Sequence, residues 1–155
     1  MAFAGTSVEI TPAPAVQGDR VNNGSIFYTA HNFLSAGPVT VGNFVWRDST
    51  YPEIAVAAAG SDDPLGIVER THEYTGTPDS LVVPDKSNVT IIEKGAVWVP
   101  ADTTVSVGDK AFAIEADGTI QFAASGSTVT GGVETAWTAF TSGTTGELIM
   151  ISNVL

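Results

Sequence analysis

Turn residues recur along this chain so often that no stretch is left for a long helix. Its 16 Gly and 8 Pro punctuate short runs of Val, Ile, Thr and aromatics, and short runs of that kind between turn signals read as strands. The clearest unit is KAFAIEADGTIQFA, residues 110–123. Phe112 and Ile114 alternate with Ala111 and Ala113, Asp117 and Gly118 supply the turn, and Ile120 and Phe122 alternate on the return, so a hairpin is predicted. Further strands are predicted over Ser25–Ala30, Val39–Trp46, Ile54–Ala58, Leu65–Arg70, Asn88–Glu93, Ala96–Val99 and Glu147–Val154. One stretch is ambiguous: Val133, Ala136, Trp137 and Phe140 fall at helical spacing, while Thr135, Thr138 and Thr141 favour a strand. The flanks SGSTVTGG and TSGTTG are turn chemistry on both sides, and they decide for a strand. The chain reads as all-β, a small barrel or sandwich of about ten short strands.

A short echo supports the turn reading. Val39–Asn43 is V-T-V-G-N and Val105–Asp109 is V-S-V-G-D, and an aromatic-containing apolar strand follows each. Both predict a strand end, a Gly at positive φ and the next strand; the alternative is coincidence among abundant turn residues.

The 155 residues suit one domain, which at this size buries roughly 70% of its unfolded surface. Charge is unevenly spread. Residues 1–45 carry only Glu9, Asp19 and Arg20, whereas residues 46–155 hold the remaining −10 of the formal −11. A neutral start rich in Ala, Pro, Gly and Asn cannot close a core alone, so residues 1–24 read as a tail, or as an arm that becomes ordered against another surface. Residues 25–155 form the β-rich domain.

Motifs for chemistry are missing. No Cys is present, which removes disulfides, thiolate zinc sites and a cysteine nucleophile. The start lacks the charged and apolar regions of a signal peptide, and no apolar run has the length of a membrane span; synthesis in the cytoplasm and no membrane partner are expected. With 6 Lys and Arg against 17 Asp and Glu, phosphate backbones would repel the chain, so nucleic acid is not an expected partner. His31 and His72, the latter beside Glu73, have no neighbour at zinc spacing. Asp62 and Asp63 precede a Pro and read as turn residues; Asp102 and Asp109 flank a hairpin connection and could share a cation, but carboxylates near turns are common. G-x-S-x-G, S-x-x-K and H-E-x-x-H do not occur, and Ser125–Gly132 lacks the P-loop Lys. Asn23 and Asn88 match glycosylation acceptors that have meaning only after secretion. Trp46, Trp98 and Trp137 could make a sugar-stacking platform, although large aromatics in strands are more often core. No catalytic residue, metal or cofactor is expected.

The order of certain pieces resembles the structural cement, or head decoration, proteins of tailed bacteriophages. They are QGDRVNNG (Gln17–Gly24), AGPVTVGNFV (Ala36–Val45), PLGIVER (Pro64–Arg70), KGAVWVPADTTVSVGDKAF (Lys94–Phe112) and AWTAFTSGTTGELIMI (Ala136–Ile151). Two features depart from the pattern: the insertion-like stretch Gly126–Gly132, and the aromatics Phe27, Tyr28 and Phe33.

The resemblance implies a non-enzymatic, β-tulip-like or barrel protein that forms homotrimers on the outer capsid surface of the virion and stabilises it. An extended N-terminal arm would run over neighbouring subunits of the major capsid protein. Ordering such an arm costs about 1 to 2 kcal/mol per residue, so it must gain contact area and main-chain hydrogen bonds. Phe3, Val8, Ile10 and Val16 are its available apolar anchors, and Arg20 is the base expected to meet a capsid carboxylate. Three copies of a −11 chain argue against charge at a trimer centre. The subunit interface is therefore expected among Trp46, Trp98, Val99 and the final strand, with Leu148, Ile149 and Ile151. The rival readings are a tail-fibre or sugar-binding β module, with its Trp residues exposed, and a small β hydrolase or lyase using paired carboxylates.

Overall fold

A computed structural model describes residues 15–22, 26–71 and 81–155. Phe3, Val8, Ile10, His72 and Glu73 lie outside the described residues. Among those described, twelve strands form and no helix. They are β1 (Thr29–Ser35), β2 (Val39–Thr40), β3 (Phe44–Arg47), β4 (Ala55–Ala57), β5 (Gly66–Val68), β6 (Val82–Val83), β7 (Asn88–Lys94), β8 (Ala96–Pro100), β9 (Lys110–Ile114), β10 (Ile120–Ala123), β11 (Gly132–Ala139) and β12 (Leu148–Ser152).

The strands sort into two bodies that share a core. A closed barrel runs β1-β4-β3-β5-β7, a five-stranded sheet runs β10-β9-β11-β12-β8, and β2 with β6 make a small ribbon. The pairs are antiparallel except β1 with β4. The predicted hairpin forms with Ile120 opposite Ala113 and Phe122 opposite Ala111. The ambiguous stretch is strand β11. Thr135 is buried there, and its hydroxyl donates to the Ala111 carbonyl at 2.7 Å, a bond that lets a β-branched polar residue line the core.

Period-two alternation explains the shared core. Along β3, Val45 points into the barrel with Val56, Val68, Val89 and Ile91. Phe44 and Trp46 point the other way, onto Val97, Val99, Trp137, Ile149 and Ile151 of the sheet. Phe44 meets Trp137 edge to face at 6.4 Å, the favoured geometry for an aromatic pair. Gly95 carries the chain from β7 in the barrel to β8 in the sheet at φ +146°. A Cβ there would strike the Tyr28 ring, so the crossing point requires glycine.

Both halves of the echo are the same turn. The Asn43 N–H donates to the Thr40 carbonyl and the Asp109 N–H to that of Ser106, each at 3.1 Å, with Gly42 and Gly108 at positive φ in third place. A hydrogen-bonded four-residue turn with Gly third is type II chemistry.

Candidate functional site

Residues 15–22, the last part of the expected arm that is described, are bonded to their own domain. The sheet order leaves β8 at an edge, and this segment covers it. The Gly18 N–H donates to the Trp98 carbonyl at 2.8 Å, the Trp98 N–H to the Asp19 carbonyl at 3.0 Å and the Val21 N–H to the Ala96 carbonyl at 3.0 Å, with Arg20 opposite Val97 in antiparallel sense. The same few residues reach the barrel. The Arg70 N–H donates to the Gly18 carbonyl at 3.0 Å and the Gln17 amide to the Val41 carbonyl at 2.8 Å. A turn closes the segment at its start: the Asp19 N–H bonds the Val16 carbonyl, and the Val16 N–H bonds the Asp19 carboxylate at 2.8 Å. Gly18 sits third in that turn at φ +82°.

Side chains reinforce the seam. Arg20 forks onto Glu69, Nε to Oε1 at 2.6 Å and Nη2 to Oε2 at 2.8 Å, and its guanidinium lies 4.9 Å from the Tyr28 ring centre. The bond to Glu69 raises the Arg20 pKa above its ordinary value. Tyr28 donates to the Val21 carbonyl at 2.7 Å, and the Ala96 carbonyl lies 3.0 Å from the same oxygen; burial pushes its phenol pKa up. Val21, Ile26 and Ala96 form a third apolar cluster against Tyr28, Trp98 and Met150. Sequence reasoning missed Glu69 and Tyr28 as partners of Arg20 and Val41 as the partner of Gln17, because strand periodicity does not say which residues meet, whether 49 positions apart as Arg20 and Glu69 are or 24 as Gln17 and Val41 are.

These positions revise the expected docking residues. Arg20 already has an acidic partner inside its own chain. Trp46, Val99, Ile149 and Ile151 are core residues with no free surface to offer a second subunit; they hold barrel and sheet together. Trp98 and Leu148 are half-buried on the opposite face of β8 and β12, and Val16 is exposed at the root of the segment. Trp46 and Trp137 are each 4% exposed, and the Trp46 Nε1–H is used on the Asp62 carbonyl at 2.6 Å, so neither offers a stacking surface to a sugar. Asp62 and Asp63 line a groove of about 690 Å³ beside Trp46. The Asp109 carboxylate accepts from the Ser106 N–H at 2.8 Å, while Asp102 is 3.5 Å from the Thr103 hydroxyl: each acid serves its own turn. His31 is exposed and bonded to Glu93 at 2.8 Å. Among the described residues, no three His, Asp or Glu gather where a metal ion could be held.

Three comparisons bear on this arrangement. A family model described as structural cement protein (E217 gp24/Pam3 gp6) matches residues 4–153. Among solved structures, a chain of "The capsid of Myoviridae Phage XM1" superposes with TM-score 0.68 at 18% identity, over 99% of this chain and 98% of that one, which is a likeness of fold. "The crystal structure of head fiber gp8.5 N base in bacteriophage phi29" gives TM-score 0.46 at 15% identity, over 81% and 93%, too slight to argue from. No curated protein matches the chain.

Proposed function

We propose that this chain, which belongs to the structural cement protein family of bacteriophages and is a capsid-associated structural protein rather than an enzyme, decorates the outer surface of an icosahedral head as a trimer and stabilises it. The family match carries the reading, because it runs through the N-terminal residues as well as the β domain. In this reading residues 1–14 are the part of the arm that reaches neighbouring major capsid subunits, with Phe3, Val8 and Ile10 as apolar anchors and Val16 at the root. Residues 15–22 fix the point and direction of departure, since their bonds to β8 and to Arg70 are made within the chain. A fixed root lowers the ordering cost of the segment that follows it. Contacts between copies fall to Trp98 and Leu148, the two candidates with surface to bury. The excess of acid over base keeps the protein off packaged nucleic acid and off other copies in solution.

The test adds purified protein to heads that lack it, followed by co-sedimentation and imaging. Density at three-fold and quasi-three-fold positions is the expected result. A stable dimer both in free solution and on the head would overturn the trimer, and failure to co-sediment would overturn head binding.

A further inference from the structure

The two edges of the five-stranded sheet are treated differently. The β8 edge is covered by residues 18–21. At the other edge, β10 pairs only with β9. The Ile114 N–H donates to the Thr119 carbonyl, which sets the alternation of an antiparallel ladder: Gln121, opposite Phe112, and Ala123, opposite Lys110, turn their main-chain groups toward β9. Ile120 and Phe122 therefore turn theirs outward. No hydrogen bond among the described residues reaches that side of either one.

Soluble proteins usually blunt such an edge with Lys, Pro or a bulge. Here residues 118–133 contain no charged residue and no Pro, in a chain of net −11, and β9 with β10 stay in unbroken register. At its first residue the edge opens onto a groove of about 420 Å³ lined by Gln17, Gly42, Pro100, Asp102 and Ile120. Acids stand at both ends. Asp117 lies in the turn before β10, and Glu134 is bonded to Ser125 and Gly126 in the turn after it.

We propose that the β10 edge is a strand-acceptor site, and that its occupant is an extended segment of a capsid subunit, uncharged in the middle and basic at its ends. This rests on the head-binding reading. The outward groups of Ile120 and Phe122 supply two donors and two acceptors in line, which suits main-chain pairing by an added strand. The flanking acids choose the occupant. Two β10 edges paired antiparallel would set Asp117 of one copy toward the Glu134 end of the other, and like charges disfavour that pair. A strand with Lys or Arg at its ends meets the same acids favourably.

Amide hydrogen exchange resolved to single residues, on free protein and on protein bound to heads, tests the assignment. In free protein the Gln121 and Ala123 amides should exchange slowly and those of Ile120 and Phe122 fast. On the head Ile120 and Phe122 should slow by at least about tenfold, giving four protected amides in a row. Ala124→Pro, an exposed position after the strand, removes the next outward N–H and should weaken co-sedimentation by about tenfold while Gln121 and Ala123 stay protected. Co-sedimentation with Ile120 and Phe122 still fast would overturn the strand-acceptor site and leave head binding standing. No co-sedimentation would overturn both. Protection of Ile120 and Phe122 in free protein that grows with concentration would assign the edge to a second copy and overturn the proposal.

Discussion

The acids of this chain do more than set its net charge. Asp19, Asp109 and Glu147 each end a four-residue turn with Gly third, and each carboxylate accepts the N–H of the turn's first residue: Val16 at 2.8 Å, Ser106 at 2.8 Å and Thr144 at 2.7 Å. The V-x-V-G echo makes the Gly42 and Gly108 turns legible in the sequence, whereas VQGD and TTGE carry no such echo, since Gln17 and Thr145 stand where it has Val. Gly18 and Gly108 separate conformational strain from crowding. At Gly108, φ is +97° and the space around it is open, so Gly108→Ala should cost about 1 kcal/mol through strain alone. At Gly18, φ is +82° and a Cβ would also strike Val41, so Gly18→Ala should cost more, and chemical denaturation of the pair should show the gap. Glu147 makes a pH prediction. Bonds from the Thr144 N–H and hydroxyl lower its pKa below the ordinary 4.5. A depressed carboxyl stabilises the fold above the unfolded pKa, and that contribution is lost as pH falls through the folded one. The stability difference between the protein and Glu147→Gln should be present at neutral pH and fade below about pH 4.5; melts at stepped pH would reveal it, and a difference that persists in acid would refute it.

At the scale of elements, alternation did most of the work that a sequence can do. The 110–123 hairpin, β7, β8 and β12 lie inside or within a residue of their predicted spans, because each is a run of apolar residues bounded by turn chemistry. The two-residue strand β6 was invisible, since so short a pairing has no period. Val39–Trp46 reads as one strand and is two, β2 and β3, broken by the very turn that the echo predicts. Partner choice was out of reach: the parallel pairing of β1 with β4 and the covering of β8 by residues 18–21 depend on contacts distant in sequence. That cover yields a prediction for the Arg20 fork. The pair is partly exposed, with side chains 42% and 14% accessible, so screening limits its worth to roughly 1 kcal/mol even with bidentate geometry. Arg20→Ala should lower the melting temperature by only a few degrees. Its sharper effect should be faster exchange of the Trp98 N–H, which bonds Asp19, while the Ile149 and Ile151 amides between β8 and β11 keep their protection. Uniform loosening of β8 and β12 would mean that the fork supports the sheet rather than the segment.

For the whole molecule, the decisive question is where the proposed arm begins, and two truncations answer it. The neutral composition of residues 1–24 reads as one arm, but residues 15–22 hold the β8 edge and tie it to the barrel. The sequence could not reveal this, because bonds made by main-chain groups carry no side-chain signature. Removing residues 1–14 takes away Phe3, Val8 and Ile10 and leaves the seam intact. The melt should stay within a degree or two of the full chain, while head binding falls by at least about a hundredfold, since three anchors at roughly 1.5 to 3 kcal/mol each are lost together with the main-chain bonds that offset the ordering cost of the segment. Removing residues 1–24 also deletes four main-chain bonds to Trp98, Ala96 and Arg70, the Arg20 fork and the buried Val21. At about 0.5 to 1.5 kcal/mol per bond, plus the lost apolar burial, the fold should weaken by several kcal/mol and melt on the order of 10 °C lower. Exposing the β8 edge should also make this truncation aggregate, which light scattering would detect. Equal melts for the two truncations would make residues 15–22 a passenger on the sheet, and full head binding without residues 1–14 would take the docking role from the arm and leave it to the domain.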